Sequence, residues 1–398
     1  MVKEKYIEDT SVMSTYARLE LCFIRGKGSW LYTNDGKKYL DLAAGIAVNS
    51  LGHCHPEMVK NIKDQAEKLW HTSNLYTIEP QEKLAKQLCK LSFADKIFFC
   101  NSGAESSEGL IKIARRYHYI NGDKDRNRII VARGAFHGRT LGGLAAGDNK
   151  LHREGFEPVP DGFDRVDYGN ISELKAKINK QTAAIFIEPI QGEGGINVSP
   201  KNYIPTIRKI CDDNGILFGL DEVQSGVGRT GKLFSYEWEN VTPDLMSLAK
   251  GLGGGFPIGA ILSSKKACKG MVSGTHGSTF GGNYLACIAA KTVLDHVAEP
   301  KFLENVLYKG KFIKNRLAEL TNRYKGVFKQ IKGRGLMIGI ECIVPNTKVF
   351  QLLKDEGVLT VPAAGNVIRL MPPLNIEDQD IQLGLEKIEM AVRKLSDE

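Results

Sequence analysis

Residues 216–224 read Ile216-Leu217-Phe218-Gly219-Leu220-Asp221-Glu222-Val223-Gln224. Five apolar or small residues end abruptly in two acids. The run is short for a helix and suits a strand buried on both faces of a parallel sheet. A carboxylate straight after such a strand is costly to bury unless a cation or hydrogen-bond donor meets it. The same grammar recurs on both sides. Ile97 to Cys100, Arg128 to Ala132, Ala183 to Ile187 and Leu245 to Ala249 read as further buried strands. Helical stripes separate them: Met58, Ile62, Ala66 and Leu69 after Pro56, then Leu110, Ile113 or Ala114, and Tyr117. Strands alternating with helices predict an α/β fold around a mostly parallel sheet.

The pattern changes near residue 285. Leu303, Val306, Leu307, Ile313, Leu317 and Leu320 form one helical stripe, and Ile381, Leu385, Ile388, Val392 and Leu395 form another. Between them, Leu336 to Ile343 and Val367 to Leu370 read as strands. A chain of 398 residues exceeds one core. The expected division is an N-terminal segment, 1–50, packing with a small α+β domain, 286–398, and a large domain, 51–285.

Composition narrows the function. Hydrophobic residues make up 42% and charged residues 25%, as in an ordinary globular enzyme. The net charge of +8 is spread without a basic stripe or interleaved aromatics, so no nucleic-acid partner is expected. No apolar run reaches the roughly 18 residues of a membrane span, and the charged start from Met1 to Glu20 is no secretory signal. Eight irregularly spaced cysteines point to reduced thiols and a cytoplasmic location. Fourteen of the 42 glycines lie between Gly219 and Gly282, a sign of tight turns or of backbone brought close to a ligand.

In open α/β sheets, ligands bind beyond the carboxyl ends of the strands. After Cys100 comes Asn101-Ser102-Gly103-Ala104-Glu105, a capped helix start that can hold a phosphate. After Ala132 comes Phe136-His137-Gly138-Arg139-Thr140, which offers a ring to stack and an arginine for a carboxylate. Glu188 follows one buried strand and Asp221 another. Lys250 follows Leu245 to Ala249 and precedes a run of glycines, where burial would lower its pKa and make its amine nucleophilic. Two other motifs carry less. Gly226-Val227-Gly228-Arg229-Thr230-Gly231 fits a nucleotide loop, but no strand ends at Gly226, and Leu233 replaces the hydroxyl that would hold magnesium. His53-Cys54-His55 lacks further ligands at regular spacing, so no metal is expected. A lysine, an acid, an aromatic and a phosphate site together fit pyridoxal 5'-phosphate, whose ring drains electrons from a carbanion when an acid keeps its nitrogen protonated.

These motifs resemble the class III, or ω-amino, aminotransferases. The likeness rests on Asp221-Glu222-Val223-Gln224, on Gly228-Arg229-Thr230-Gly231, on Lys250, and on Ser102-Gly103-Ala104-Glu105. It also rests on Phe136 to Thr140, on His276-Gly277-Ser278-Thr279-Phe280-Gly281-Gly282-Asn283, on Asn366 to Leu374, and on Ser73-Asn74-Leu75-Tyr76. It spans about Tyr16 to the last helix and implies the fold-type-I architecture of pyridoxal-phosphate enzymes. It further implies that Lys250 carries the cofactor and shuttles a proton, that Asp221 pairs with the ring nitrogen, and that Phe136 stacks on the ring. Gln224 would contact the ring hydroxyl, with Glu222 and Val223 beside it. Ser102, Gly103 and Ala104 would hold the phosphate, joined by Thr279 of a neighbouring copy in a homodimer. Arg139, helped by Ser278, would take the substrate's α-carboxylate, with Tyr16 and Asn74 nearby. Arg369 would take the keto acid, and Glu188 would neutralise Arg369 in the other half-reaction. The implied reaction moves the δ-amino group of N2-acetyl-L-ornithine to 2-oxoglutarate. Ornithine, succinylornithine, succinyldiaminopimelate and 4-aminobutyrate are alternative donors. A nucleotide-binding protein using Gly226 to Lys232 is the alternative from another class. Ser106-Ser107 and Tyr284 depart from the family pattern beside the phosphate region.

Overall fold

The computed structural model describes residues 11–396. Its centre is a seven-stranded sheet in the order Lys96–Cys100, Gly259–Ser263, Leu245–Leu248, Leu217–Asp221, Thr182–Ile187, Arg128–Ala132 and Phe163–Val166. The last five pair in parallel. Gly259–Ser263 runs antiparallel to both of its neighbours. The mostly parallel α/β sheet is therefore present, with one reversed strand. That strand follows Pro257 and carries a short apolar run, Ile258 to Leu262, a signal the periodicity reading passed over. Ile129, Ala184, Phe186, Leu217 and Leu245 are fully buried, as expected of strands covered on both faces. Helix Gly103–Ile120 lies on one face, and Tyr203–Asn214 packs on the other.

Two four-stranded sheets flank this core, and a two-stranded ribbon pairs Ile190–Gln191 with Asn197–Val198. Phe328–Arg334, Met337–Cys342, Val367–Leu370 and Val361–Ala363 form an antiparallel sheet. Helices Pro300–Arg323 and Asp378–Ser396 carry the two apolar stripes of the C-terminal sequence. Near the N-terminus, Phe23–Lys27, Trp30–Thr33 and Lys38–Asp41 make a meander, and Val358–Leu359 adds to it in parallel. The N-terminal strands and the C-terminal third thus share one sheet. The helix Pro56–Ala66 stops before Leu69, which is exposed, so that stripe is one residue shorter than the spacing predicts.

The glycine motif after Asp221 is no phosphate loop. Residues 226–231 form turns wedged between the central sheet and the C-terminal third. A side chain at Gly228 would stand 2.4 Å from Val297 Cγ1, and one at Gly231 2.2 Å from Leu307 Cδ2. Arg229 is buried and donates from Nη1 to the Leu336 carbonyl at 3.1 Å and to the Pro372 carbonyl at 2.5 Å. Burial pushes its guanidinium down to about 9. We predict that Arg229→Leu, which strands both carbonyls, costs about 3 kcal/mol. Urea unfolding checks this; an unchanged midpoint would contradict the wedge.

Candidate active site

The parallel strands end on one edge, and the chain leaves that edge at Cys100, Ala132, Ile187, Asp221 and Leu248. A cavity of about 420 Å³ opens there. Its floor is the start of helix Gly103–Ile120. Ser102 caps that helix, its Oγ accepting the Glu105 N–H at 3.2 Å. The Glu105 carboxylate in turn accepts from the Asn101 N–H at 2.7 Å, one residue before the cap. The first helical N–H groups, those of Gly103 and Ala104, have no carbonyl one turn back and line the cavity. Gly103 is required by close approach, since a Cβ there would stand 2.8 Å from Val223 Cγ1.

Asp221 sits at the middle of the same edge and is buried. Its Oδ2 lies 2.8 Å from His137 Nδ1, and its Oδ1 accepts the Val223 N–H at 3.0 Å. The His137 ring stacks on Phe186 with centroids 4.2 Å apart. His137 is the partner that the strand-end rule demanded, and it was not singled out from the sequence. The signal was available: a histidine in the loop after an adjacent strand. Lys250 enters the cavity from the strand beside Asp221, with a positive φ of 43° that strains a non-glycine backbone. Burial holds its amine below the usual lysine range, while Glu193, Asp221 and Glu188 oppose that effect.

The acids on the far wall require a correction. Glu188 does not pair with Arg369. Its carboxylate accepts the Phe136 N–H at 3.2 Å and the Gly192 N–H at 3.1 Å. Burial, with the Asp221 charge, pushes its carboxyl up to about 7 against the pull of His137. Glu193 makes the pair: Arg369 donates Nη1 to Glu193 Oε1 at 2.6 Å and Nη2 to Oε2 at 3.0 Å. Burial alone would raise the Glu193 carboxyl, but the Arg369 guanidinium outweighs it and holds the group below its ordinary value. The reason is local geometry. Glu188 is held at the strand end by two backbone amides, whereas Glu193 stands on the loop beyond and reaches the strand Val367–Leu370. Glu222 is a second correction. Its carboxylate accepts the Ser235 and Tyr236 N–H groups at 2.5 and 2.7 Å, and it does not line the cavity.

Phe136, Arg139, Val223 and Gln224 also line the cavity. Gln224 bridges toward the ion pair, its Oε1 lying 3.4 Å from Arg369 Nη1. Thr279 is exposed and Ser278 is outside this cavity in the single chain. Ser278 Oγ accepts the Gly281 N–H at 2.9 Å, and Asn74 Nδ2 donates to the Ser278 carbonyl at 3.0 Å, so Asn74 props this loop and does not face the cavity. Tyr16 is 74% exposed and contributes nothing to the cavity within one chain. Ser107, one turn into the helix, lines the cavity with a buried Oγ that has no partner. The His53 side of the early histidine pair bonds Asp41 at 2.8 Å, and His55 packs edge-on against His296.

The arrangement suits a flat, phosphorylated, cationic ring. Open helix amides and the unpartnered Ser107 hydroxyl stand at one end. A histidine-held carboxylate stands at the other, with a buried lysine in the same cavity.

Comparisons with known proteins agree. The family model for class-III aminotransferases matches residues 12–392. An acetylornithine aminotransferase from Brucella melitensis is 53% identical, over 96% of this chain and 95% of its own. The N-acetylornithine aminotransferase from Stenotrophomonas maltophilia superposes with a TM-score of 0.84 at 35% identity, covering 94% of this chain and 96% of its own. An ornithine aminotransferase from Toxoplasma gondii, with pyridoxal phosphate at partial occupancy in its active site, gives a TM-score of 0.93 at 30% identity. It covers 98% of this chain and 94% of its own. With its strand-end lysine, its histidine-held aspartate and this likeness along almost all its length, the chain belongs to the class-III aminotransferases.

Proposed function

We propose that this enzyme transfers the δ-amino group of N2-acetyl-L-ornithine to 2-oxoglutarate, giving N-acetyl-L-glutamate 5-semialdehyde and L-glutamate, as a step of arginine biosynthesis. The observation that carries the reading is the unequal state of two arginines. Arg369 is buried and neutralised by Glu193, whereas Arg139 is exposed at the cavity wall and has no carboxylate partner among the described residues. An amino acid entering this site finds its free cation at Arg139, so its α-carboxylate binds there and its far amine faces Lys250. A keto acid with two carboxylates can displace Glu193 and claim Arg369. The same chain then serves both half-reactions by moving one carboxylate.

When bound, pyridoxal phosphate, the cofactor of this class, supplies an electron sink for negative charge at the substrate carbon. The chain's own groups do the rest. The Ser102, Gly103 and Ala104 segment, with Ser107, would hold the phosphate. Phe136 would cover one face of the ring. Asp221, fixed by His137 and the Val223 amide, would keep a proton on the ring nitrogen. Lys250, buried in the same cavity, would anchor the cofactor, and its amine would accept the proton leaving the reacting carbon. Gln224, which bonds both members of the Glu193–Arg369 pair, would contact the ring hydroxyl. Glu188 steadies the loop that carries Phe136.

We infer a cytoplasmic homodimer whose second copy completes the site through Thr279 and Ser278. The exposed Phe280, Leu75 and Tyr76 beside that loop favour burial against another chain. All eight cysteines are free thiols, which suits a reducing compartment. We infer a division into an N-terminal segment, 1–50, a large domain, 51–285, and a small domain, 286–398. Helix Tyr284–Val297 runs across the last boundary. Ornithine is the second donor to test, because the Toxoplasma enzyme superposes so closely.

Three outcomes are expected. The purified enzyme is yellow, and acetylornithine bleaches it faster than ornithine, succinylornithine or 4-aminobutyrate; a faster bleach with any of these reassigns the donor. Lys250→Ala lowers turnover by more than about 10³-fold, and retained turnover refutes its role. Glu193→Gln leaves Arg369 unneutralised. Its KM for acetylornithine rises about tenfold while that for 2-oxoglutarate falls; equal shifts in both would rule out the switch.

A further inference from the structure

On the reading above, substrate orientation depends on Arg139, an exposed residue whose guanidinium meets two side chains, His152 and Phe136. Its Nη2 lies 3.0 Å from His152 Nε2. A guanidinium can only donate, so Nε2 accepts, and the imidazole is neutral with its proton on Nδ1. The same ring stands edge-on to Phe136, with centroids 6.1 Å apart, and the Arg139 guanidinium carbon sits 5.8 Å from the Phe136 centroid. His152 therefore touches both the aromatic expected to cover the cofactor and the arginine expected to hold the substrate's carboxylate. Burial, then the Arg139 charge, hold the imidazole below its ordinary pKa, against a weaker pull from Glu193, which agrees with the neutral form.

The segment bearing His152 is tied to the strand edge. Asp148 accepts the Gly134 N–H at 3.0 Å, and its own N–H donates to the Ala135 carbonyl at 3.2 Å. Asn149 then caps the short turn Lys150–Arg153 through its side chain. The imidazole is thus placed by the same loop that places Phe136 and Arg139.

We propose that His152 is a positioning residue for carboxylate recognition: a neutral acceptor that fixes the Arg139 guanidinium without neutralising it. The contrast with Arg369 gives the physical reason. A carboxylate beside Arg369 makes that arginine unavailable until it moves. A carboxylate beside Arg139 would act in the same way and compete with every substrate. An imidazole supplies orientation at no cost in charge. This rests on the reading of Arg139 given above.

The test compares two amines on the holoenzyme, N2-acetylornithine and N-acetyl-1,4-diaminobutane, which differ only by the α-carboxylate. The readout is the ratio of their half-reaction kcat/KM values. His152→Gln keeps a neutral acceptor and should leave the ratio within about twofold. His152→Glu installs an internal competitor and should lower it about fivefold, the size a partly exposed ion pair delivers. His152→Leu removes the acceptor and should lower it about threefold. Loss of folding would reduce both amines together and leave the ratio unchanged. Arg139→Ala separates the two readings. If it leaves the ratio intact, Arg139 is not the carboxylate site, and both readings fall. If it collapses the ratio while His152→Glu does not, the role of His152 alone is refuted.

Discussion

The site depends on one buried contact, the hydrogen bond between His137 Nδ1 and Asp221 Oδ2. A carboxylate at the end of a strand buried on both faces would otherwise be desolvated without a partner. The histidine supplies a donor, its ring is held flat by Phe186, and the Val223 amide takes the second oxygen. Each of these comes from a different strand or from the turn that follows Asp221. The central sheet must therefore be in register before the acid can be placed. Once it is, both oxygens of the carboxylate are held, and the group is fixed at the cavity. The Lys250 amine and the Glu188 carboxyl lie in the same field, so their proton affinities are set by the same burial.

Much of this could be read in the chain. Fully buried parallel strands announce themselves as short apolar runs, and function-bearing residues follow them immediately. That is why Asp221, Glu188, Lys250 and the Ser102 helix start were found with their neighbours. What could not be read was which partner each polar group would meet. Glu188 and Glu193 are two acids five positions apart on one strand-end segment, and Arg369 is far from both in sequence. Only the turn at Gly192, which gives its amide to Glu188, decides that Glu193 reaches Arg369. Glu222 was misplaced for a similar reason. It adjoins Asp221, but alternation along an extended chain turns it to the opposite side, where the Ser235 and Tyr236 amides receive it. The reversed strand Gly259–Ser263 was overlooked because proline and glycine flank it.

The glycine cluster has two separate causes. At Gly228 and Gly231 the pressure comes from Val297 and Leu307 in the C-terminal third, and the motif serves packing between the two halves. At Gly259 it comes from the cofactor side, since a Cβ there would stand 2.4 Å from the Ser102 carbonyl. Gly103, outside the cluster, obeys the same rule against Val223. A glycine spacing that resembles a phosphate loop thus serves packing, while a single glycine at a helix start leaves open backbone amides at the cavity.

The two arginines are compensated in different ways. A buried guanidinium is unstable without compensation, and Arg369 obtains it from Glu193. On the proposed function, that need is what would let an incoming carboxylate take the place of the internal one. Arg139 is exposed, and water compensates it, so it needs no internal acid and stays open to ligands. Burial decides which arginine is paired internally and which is open to water. The fold settles burial by placing Arg369 on a covered strand of the C-terminal antiparallel sheet and Arg139 on the loop at the cavity wall.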